Sequence, residues 1–123
     1  MLSELYALEE IESAPRRRDE LRMREINIEE LISKGLIRDE NGFLYLTENG
    51  IRRLSQLYGI LDTLQEIYMN MSYNKNTEVK EVKDLEDLLK SGLVEIKDNY
   101  VYLTFEGIKI VAQRIADRMA RAH

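Results

Sequence analysis

The sequence predicts a mainly α protein with two small β-hairpins, an α+β fold in which one structural unit occurs twice. The first observation is an internal repeat: residues 27–54 and 84–111 align without a gap at an offset of 57 residues. The second is a glycine that follows a helix-like segment in each copy, Gly35 and Gly92. The third is a polar turn between two apolar strand-like segments in each copy. We therefore expect one compact domain, residues 1–123, built from two related halves.

The N-terminal segment predicts an amphipathic helix, because its apolar residues recur at every third position: Leu2, Leu5, Leu8 and Ile11. We expect Ser3 to cap this helix and Pro15 to end it, since the residue before a proline avoids the helical conformation. The segment that follows, residues 16–25, predicts either a solvated second helix or a helical connector.

A third helix is expected to begin at Asn27, a favourable N-cap residue, with Glu30 at the spacing of a capping box. Gly35 should end it in a left-handed conformation. The second copy repeats this pattern, with Asp84 in the position of the cap and Gly92 in the position of the stop.

Each copy then contains a predicted hairpin with a two-residue turn, at residues 41–42 (Asn-Gly) and 98–99 (Asp-Asn). Such turns require positive φ at both positions, which these residue types tolerate. Counting outward from the turns gives the same register in both copies. It pairs Ile37 with Leu46, Asp39 with Leu44, Val94 with Leu103 and Ile96 with Val101. The residues expected on the buried faces are Ile37, Leu44, Leu46, Val94, Ile96, Val101 and Leu103.

Thr47 and Thr104 should cap the helices that follow the hairpins. The first of these helices is long, residues 48–71, and Gly59 in its middle indicates a close helix crossing, a kink or simple tolerance. Residues 77–83 predict a short helix or an irregular segment. The last helix, residues 104–120, is expected to bury its apolar residues: Ile108, Val111, Ala112, Ile115 and Met119.

The apolar residues of the long helix cover more than one of its faces. We therefore predict a homodimer, with candidate dimerisation residues on this helix: Leu57, Tyr58, Leu61, Leu64, Ile67 and Tyr68.

The order helix, helix, helix, hairpin, helix, with the segments 34–37 (KGLI) and 45–50 (YLTENG), resembles winged helix-turn-helix proteins, in particular MarR-type and PadR-type regulators. The resemblance implies two tandem, fused winged-helix-like units that share the long central helix, about residues 48–71. It also implies DNA binding and transcription regulation, with the third helix of a unit in the major groove and the hairpin, or wing, at the backbone.

A DNA-binding function requires Lys or Arg side chains at phosphates. The richest source is the segment 16–25, which we expect to contact double-stranded DNA as the second helix. The candidate nucleic-acid-binding residues are Arg16, Arg17, Arg18, Arg22, Arg24, Lys34 and Arg38. A solvated helix without a ligand is the simpler interpretation of the same arginines.

The charge distribution supports a second hypothesis. The formal net charge is −5, and the first turns of both candidate recognition helices are acidic, with Glu29 and Glu30 in one and Glu86 and Asp87 in the other. Acidic helix tips repel phosphates and favour a basic protein surface. The alternative function is therefore a protein-interaction or assembly module that does not bind DNA.

Enzymatic chemistry has little support in the sequence. There is no cysteine, the one histidine is His123, and the glycines are placed as turn and cap residues. We therefore expect no enzyme activity, no metal site and no cofactor. With no run of 18 apolar residues and no signal-peptide pattern, we also expect no membrane association and a cytoplasmic location.

Overall fold

The computed structural model describes residues 1–22 and 25–121. The chain divides into two compact units, Met1–Tyr58 and Gly59–His123. The boundary lies inside the long helix, so each unit takes its own half of that helix. The described residues form a mixed α/β structure with five α-helices and two small antiparallel sheets.

The two units have the same succession of elements. In the first, the elements are α1 (Leu2–Ser13), β1 (Arg16–Arg17), a 3-10 helix (Arg18–Glu20), α2 (Ile28–Ser33), β2 (Ile37–Glu40) and β3 (Phe43–Leu46). Helix α3 (Glu48–Ser72) closes the first unit and opens the second. The second continues with β4 (Thr77–Glu78), a 3-10 helix (Val79–Glu81), α4 (Leu85–Lys90), β5 (Val94–Lys97), β6 (Tyr100–Leu103) and α5 (Phe105–Arg121).

Each sheet has three strands, in the order β1-β3-β2 in the first unit and β4-β6-β5 in the second. The predicted hairpin registers are confirmed, with Ile37 opposite Leu46 and Val94 opposite Leu103. The predicted buried faces are largely confirmed, but Ile96 is wrong: its side chain is 44% exposed. It lies near the turn end of β5, whereas Val94 at the start of the same strand is buried.

The turn and cap chemistry is confirmed at most of its predicted positions. Both residues of each hairpin turn have positive φ: Asn41, Gly42, Asp98 and Asn99. Thr47 Oγ1 accepts a hydrogen bond from the Gly50 N–H at 3.0 Å, and Thr104 Oγ1 accepts one from the Gly107 N–H at 3.2 Å.

The N-caps of the shorter helices follow the predictions less closely. Asn27 caps α2, because its side chain accepts a hydrogen bond from the Glu30 N–H. The Ser3 cap is wrong, since α1 already begins at Leu2 with Met1 as its N-cap. The Asp84 cap is wrong as well, because the backbone there is left-handed and its side chain makes no capping hydrogen bond.

The helix predicted for residues 16–25 is the main error. Arg16 and Arg17 form a strand that pairs with β3, and Arg18–Glu20 is a 3-10 helix. Pairing with the hairpin satisfies backbone groups that a helix would otherwise satisfy internally, so tertiary context overrides helix propensity. In residues 77–83 the short helix is confirmed as a 3-10 helix, Val79–Glu81, and the equivalent strand, Thr77–Glu78, precedes it.

The predicted dimerisation residues are buried or half-buried in the structure. Leu57, Leu61, Leu64 and Ile67 are at most 1% exposed, and Tyr58 and Tyr68 are half-buried. These six side chains therefore do not form an exposed apolar surface for a second copy. Gly59 is exposed, and a Cβ built on it meets nothing within 4 Å, so it does not mark a close helix crossing.

Helix α5 presents a different face from the one expected. Val111 is buried, but Met119 is 62% exposed and Ala112 is exposed as well. Arg114 is only 4% exposed, and its guanidinium lies 2.9 Å from the Asp62 carboxylate. This buried position of α5 is therefore occupied by an arginine that pairs with α3, and not by an apolar residue.

Candidate functional site

The candidate site of the first unit is built around the arginine-rich segment after α1. Pro15 keeps Ala14 extended, with φ −170° and ψ 151°, and so prevents α1 from continuing. The chain then adds a short strand to the edge of the hairpin, with Arg17 opposite Phe43. The Arg17 guanidinium lies over the Phe43 ring, 5.2 Å from its centre, which helps to hold the strand in this register.

Arg18 joins three elements through its guanidinium. It donates to the Glu29 carboxylate on α2, and its Nε and Nη2 donate to Asp39 Oδ2 on β2 at 3.3 and 3.1 Å. We call Arg18, Glu29 and Asp39 the Arg18 cluster. The cluster connects the 3-10 helix, α2 and the hairpin.

The electrostatic balance of this cluster is negative, with one cation between two carboxylates. Hydrogen bonding to Glu29, and then to Asp39, raises the pKa of Arg18 above its usual range. A guanidinium has five N–H donors, and three of those of Arg18 are already bound to carboxylates, so they are not available to bind a phosphate. Arg18 is therefore committed within the unit and does not present a free positive charge to a ligand.

The other cations on α2 and the first hairpin are also paired. Lys34 Nζ lies 3.0 Å from the Glu30 carboxylate, and Arg38 Nε lies 3.3 Å from the Glu40 carboxylate. The Arg38 guanidinium also lies over the Tyr45 ring at 5.4 Å. These elements contain no further Lys or Arg, so their cations are each balanced by a neighbouring carboxylate.

The remaining predicted nucleic-acid-binding residues are not gathered into one cationic helix face. Arg16 is half-buried beside β3, and its Nε has no hydrogen-bond partner among the described residues. Arg17 and Arg22 are exposed, and the Arg22 backbone N–H donates to the Glu10 carboxylate at 2.9 Å. Arg24 lies outside the described residues.

The second unit has the same framework with other side chains. Its 3-10 helix places Lys80 3.1 Å from the Glu78 carboxylate. An open cleft of about 410 Å³ lies beside this helix and the second hairpin turn, lined by Glu78, Val79, Lys80, Asp98, Asn99 and Tyr100. The first turn of α4 carries Glu86 and Asp87, so it is acidic like the first turn of α2.

Sequence reasoning missed two features of this site. The Arg18 cluster depends on three segments that come together only when residues 16–17 join the sheet, and no periodicity signals that pairing. The second feature is a contact between α1 and α3, where Arg53 Nε donates to the Glu4 carboxylate at 2.8 Å. Burial raises the pKa of Glu4, but the hydrogen bond and charge of Arg53 outweigh it and lower the pKa below its ordinary value.

The described part of the chain contains neither a metal-binding cluster nor a membrane-spanning helix. Within residues 1–22 and 25–121, no three acidic or histidine side chains lie close enough to hold a metal ion. None of the described helices combines the length and the apolar character needed to cross a lipid bilayer. Comparison with known protein families, with curated proteins and with solved structures gave no match.

Proposed function

We propose that this chain is a tandem pair of winged-helix-like units that works as a protein-interaction module. The order of elements supports the winged-helix interpretation: helix, edge strand, short helix, helix, then a hairpin whose second strand lies at the centre of the sheet. The same order occurs in both units. Helix α2 and helix α4 occupy the positions of recognition helices, and the two hairpins occupy the positions of wings.

The observation that carries the proposal is the commitment of Arg18 to Glu29 and Asp39. A phosphate backbone is bound by Lys and Arg side chains and by helix N-termini. Here the principal arginine of the candidate interface is held by two carboxylates, and the first turn of α2 is itself acidic. Bringing DNA to this face would place Glu29 and Glu30 against phosphates.

A protein partner with a basic surface fits the same face better. Charge complementarity steers association and suppresses wrong partners, even where each exposed pair adds little affinity. The net charge of −5 acts in the same direction over the whole chain. We therefore assign the face formed by α2 and the first hairpin to a positively charged protein surface.

Site-specific photo-crosslinking in the source cells tests this assignment. A photoreactive amino acid replaces Ser33, an exposed residue of α2, and in a matched control it replaces Ser55, an exposed residue of α3. We expect a discrete protein adduct from position 33 only, and we expect it to disappear when Glu29 and Glu30 are changed to Lys. No adduct at position 33, or the same adduct from both positions, would contradict the proposal.

DNA binding is the second candidate function, and one observation favours it. Arg17 and Arg22 are exposed, and neither side chain forms an ion pair within the described residues. Fluorescence anisotropy with a mixed-sequence duplex at about 50 mM salt would reveal backbone binding, because such binding is strongest at low salt. The protein-interaction proposal predicts no binding. Binding that is lost in Arg17→Ala and Arg22→Ala but kept in Arg52→Ala would establish DNA binding in its place.

A further inference from the structure

The two units can be compared position by position through their sheets. Arg16 pairs with Leu44 in the first unit, and Thr77 pairs with Val101 in the second. A 3-10 helix begins two residues after each of these strand residues. The residue equivalent to Arg18 is therefore Val79, while the repeat offset of 57 residues makes Ile96 and Glu86 equivalent to Asp39 and Glu29.

This equivalence shows that the second unit has lost the ion pairs of the Arg18 cluster but kept one of its carboxylates. The positions of Arg18 and Asp39 hold Val79 and Ile96, which are both apolar. Glu86 remains at the position of Glu29 and is exposed, and its carboxylate forms no ion pair within residues 1–22 and 25–121. The guanidinium that the first unit supplies from its own chain is thus missing in the second.

The same region of the second unit exposes apolar side chains. Ile96 is 44% exposed and Leu89 is 38% exposed. Leu89 lies one helical turn after Glu86, on the same side of α4. Val79 is half-buried and borders the cleft of about 410 Å³. Grouped apolar exposure is typical of a binding surface rather than of a solvated face, and the cleft that Val79 borders is also lined by two carboxylates, Glu78 and Asp98.

We propose that this face, formed by Val79, Glu86, Leu89 and Ile96 and called the α4–β5 face, binds a protein segment that carries apolar side chains and one Arg or Lys. The inference rests on the proposed protein-interaction function and specifies the chemistry of one partner. The partner's cation occupies the place of the Arg18 guanidinium and pairs with Glu86. Its apolar side chains cover Ile96 and Leu89, the residues that the second unit leaves exposed.

Charge and shape both select this occupant. An acidic segment would bring like charge against Glu86, and a purely apolar segment would bury that carboxylate without a hydrogen-bond donor. A segment with Arg or Lys next to apolar residues satisfies the carboxylate and covers the apolar surface together.

A random dodecapeptide library displayed on phage, selected on the full-length chain, is the probe. We expect the enriched peptides to combine Arg or Lys with apolar residues. Their binding should weaken at least tenfold in the double variant Val79→Arg/Ile96→Asp, which rebuilds the ion pairs of the first unit, and also in Glu86→Gln. The matched control is Phe105→Ser, which removes another highly exposed apolar side chain (73%) and should leave binding unchanged.

Several results would overturn the inference. They are the absence of enriched peptides, enrichment of peptides without a basic residue, equal binding to the double variant, or loss of binding in Phe105→Ser. Glu86→Gln keeps the test decisive should the double variant fold poorly. Failure here is distinct from failure of the proposed function, because crosslinking at position 33 on α2 would remain and would not depend on Val79→Arg/Ile96→Asp.

Discussion

Replacing Gly50 with alanine tests how closely the first turn of α3 packs against the Leu36 backbone. The Gly50 N–H donates to Thr47 Oγ1, and the Thr47 N–H donates to the Leu36 carbonyl at 3.1 Å. The first turn of the helix therefore lies directly on the backbone between α2 and β2. A Cβ at position 50 would be 2.1 Å from the Leu36 oxygen and 2.7 Å from Leu46 Cδ1.

The magnitude follows from that geometry. An ordinary contact begins at 3.4 Å, so the Leu36 oxygen is more than 1 Å too close, and as a backbone atom it cannot rotate away. Overpacking costs about 1–3 kcal/mol, and loss of the Thr47–Leu36 hydrogen bond costs about 1 kcal/mol more. The helix propensity of alanine returns about 1 kcal/mol. We therefore expect Gly50→Ala to reduce the free energy of unfolding by about 1–3 kcal/mol, a fall in Tm of roughly 4–12 °C.

The assay is urea and thermal unfolding followed by circular dichroism, with Gly59→Ala as the matched control. Gly59 lies in the same helix but in open space, so alanine there should stabilise the protein by about 1 kcal/mol. Gly107→Ala should repeat the loss in the second unit, because its Cβ would lie 2.2 Å from the Leu93 oxygen. A Gly50→Ala protein as stable as the wild type, or equal losses for Gly50→Ala and Gly59→Ala, would refute the reasoning.

Three further predictions concern side chains away from this contact. The lowered pKa of Glu4 means that the stabilisation from its pair with Arg53 is present above the ordinary pKa of 4.5 and is lost as the pH falls through the lowered value. In Glu4→Gln the urea midpoint should therefore fall less steeply as the pH decreases below 4.5, and a pH profile like that of the wild type would contradict this. Asn99 has φ +68°, so Asn99→Gly should raise the free energy of unfolding by about 0.5–1 kcal/mol, and a lower Tm would count against a left-handed turn. Arg114 is buried, while the Asp62 side chain that pairs with it is 69% exposed. Arg114→Met should be neutral or stabilising, whereas Asp62→Asn leaves a buried guanidinium without its counter-charge and should cost about 1–3 kcal/mol; the reverse order in urea unfolding would contradict this.

The parts of the fold that follow from local chemistry could be predicted from the sequence. Asn41 and Gly42 tolerate positive φ, so they fix a two-residue turn, and that turn fixes the register of the whole hairpin. Thr47 is a good helix cap, and its hydroxyl does accept the expected hydrogen bond. In these cases the interacting groups are within a few residues of one another, so the sequence alone contains the geometry.

The parts that depend on distant partners could not be predicted. The arginine-rich segment has residues that suit a helix, but its backbone hydrogen bonds go to β3, which follows some 26 residues later. Arg114 is charged, as exposed residues usually are, yet its side chain is buried. Its guanidinium contacts Asp62 and Gln65, which lie on another helix. Helical periodicity reports which face a residue shares, not whether another element covers that face.

The candidate nucleic-acid-binding residues stay a prediction. Two of them, Lys34 and Arg38, pair with carboxylates only four and two residues away in the chain. Lys34 and Arg38 were chosen for their positive charge, which the sequence states correctly, but their carboxylate partners cancel that charge at short range. A count of basic residues cannot distinguish a cation directed at solvent from one directed at a neighbour. The distinction matters here because it changes the proposed ligand from a phosphate backbone to a protein surface.

Comparison of equivalent residues in the two units distinguishes the residues that the fold requires from those that can vary at the surface. Gly50 and Gly107 are the same in both copies, because each lies against a backbone carbonyl that permits no side chain. Arg18 differs from its equivalent Val79, although the surrounding strand pairing and 3-10 helix are unchanged. The fold therefore does not require the Arg18 cluster, since the second unit forms the same framework without it. Residues that the framework leaves unconstrained are the ones through which two copies of one scaffold acquire different ligands, and that is why we assign the partner chemistry of each unit to these positions.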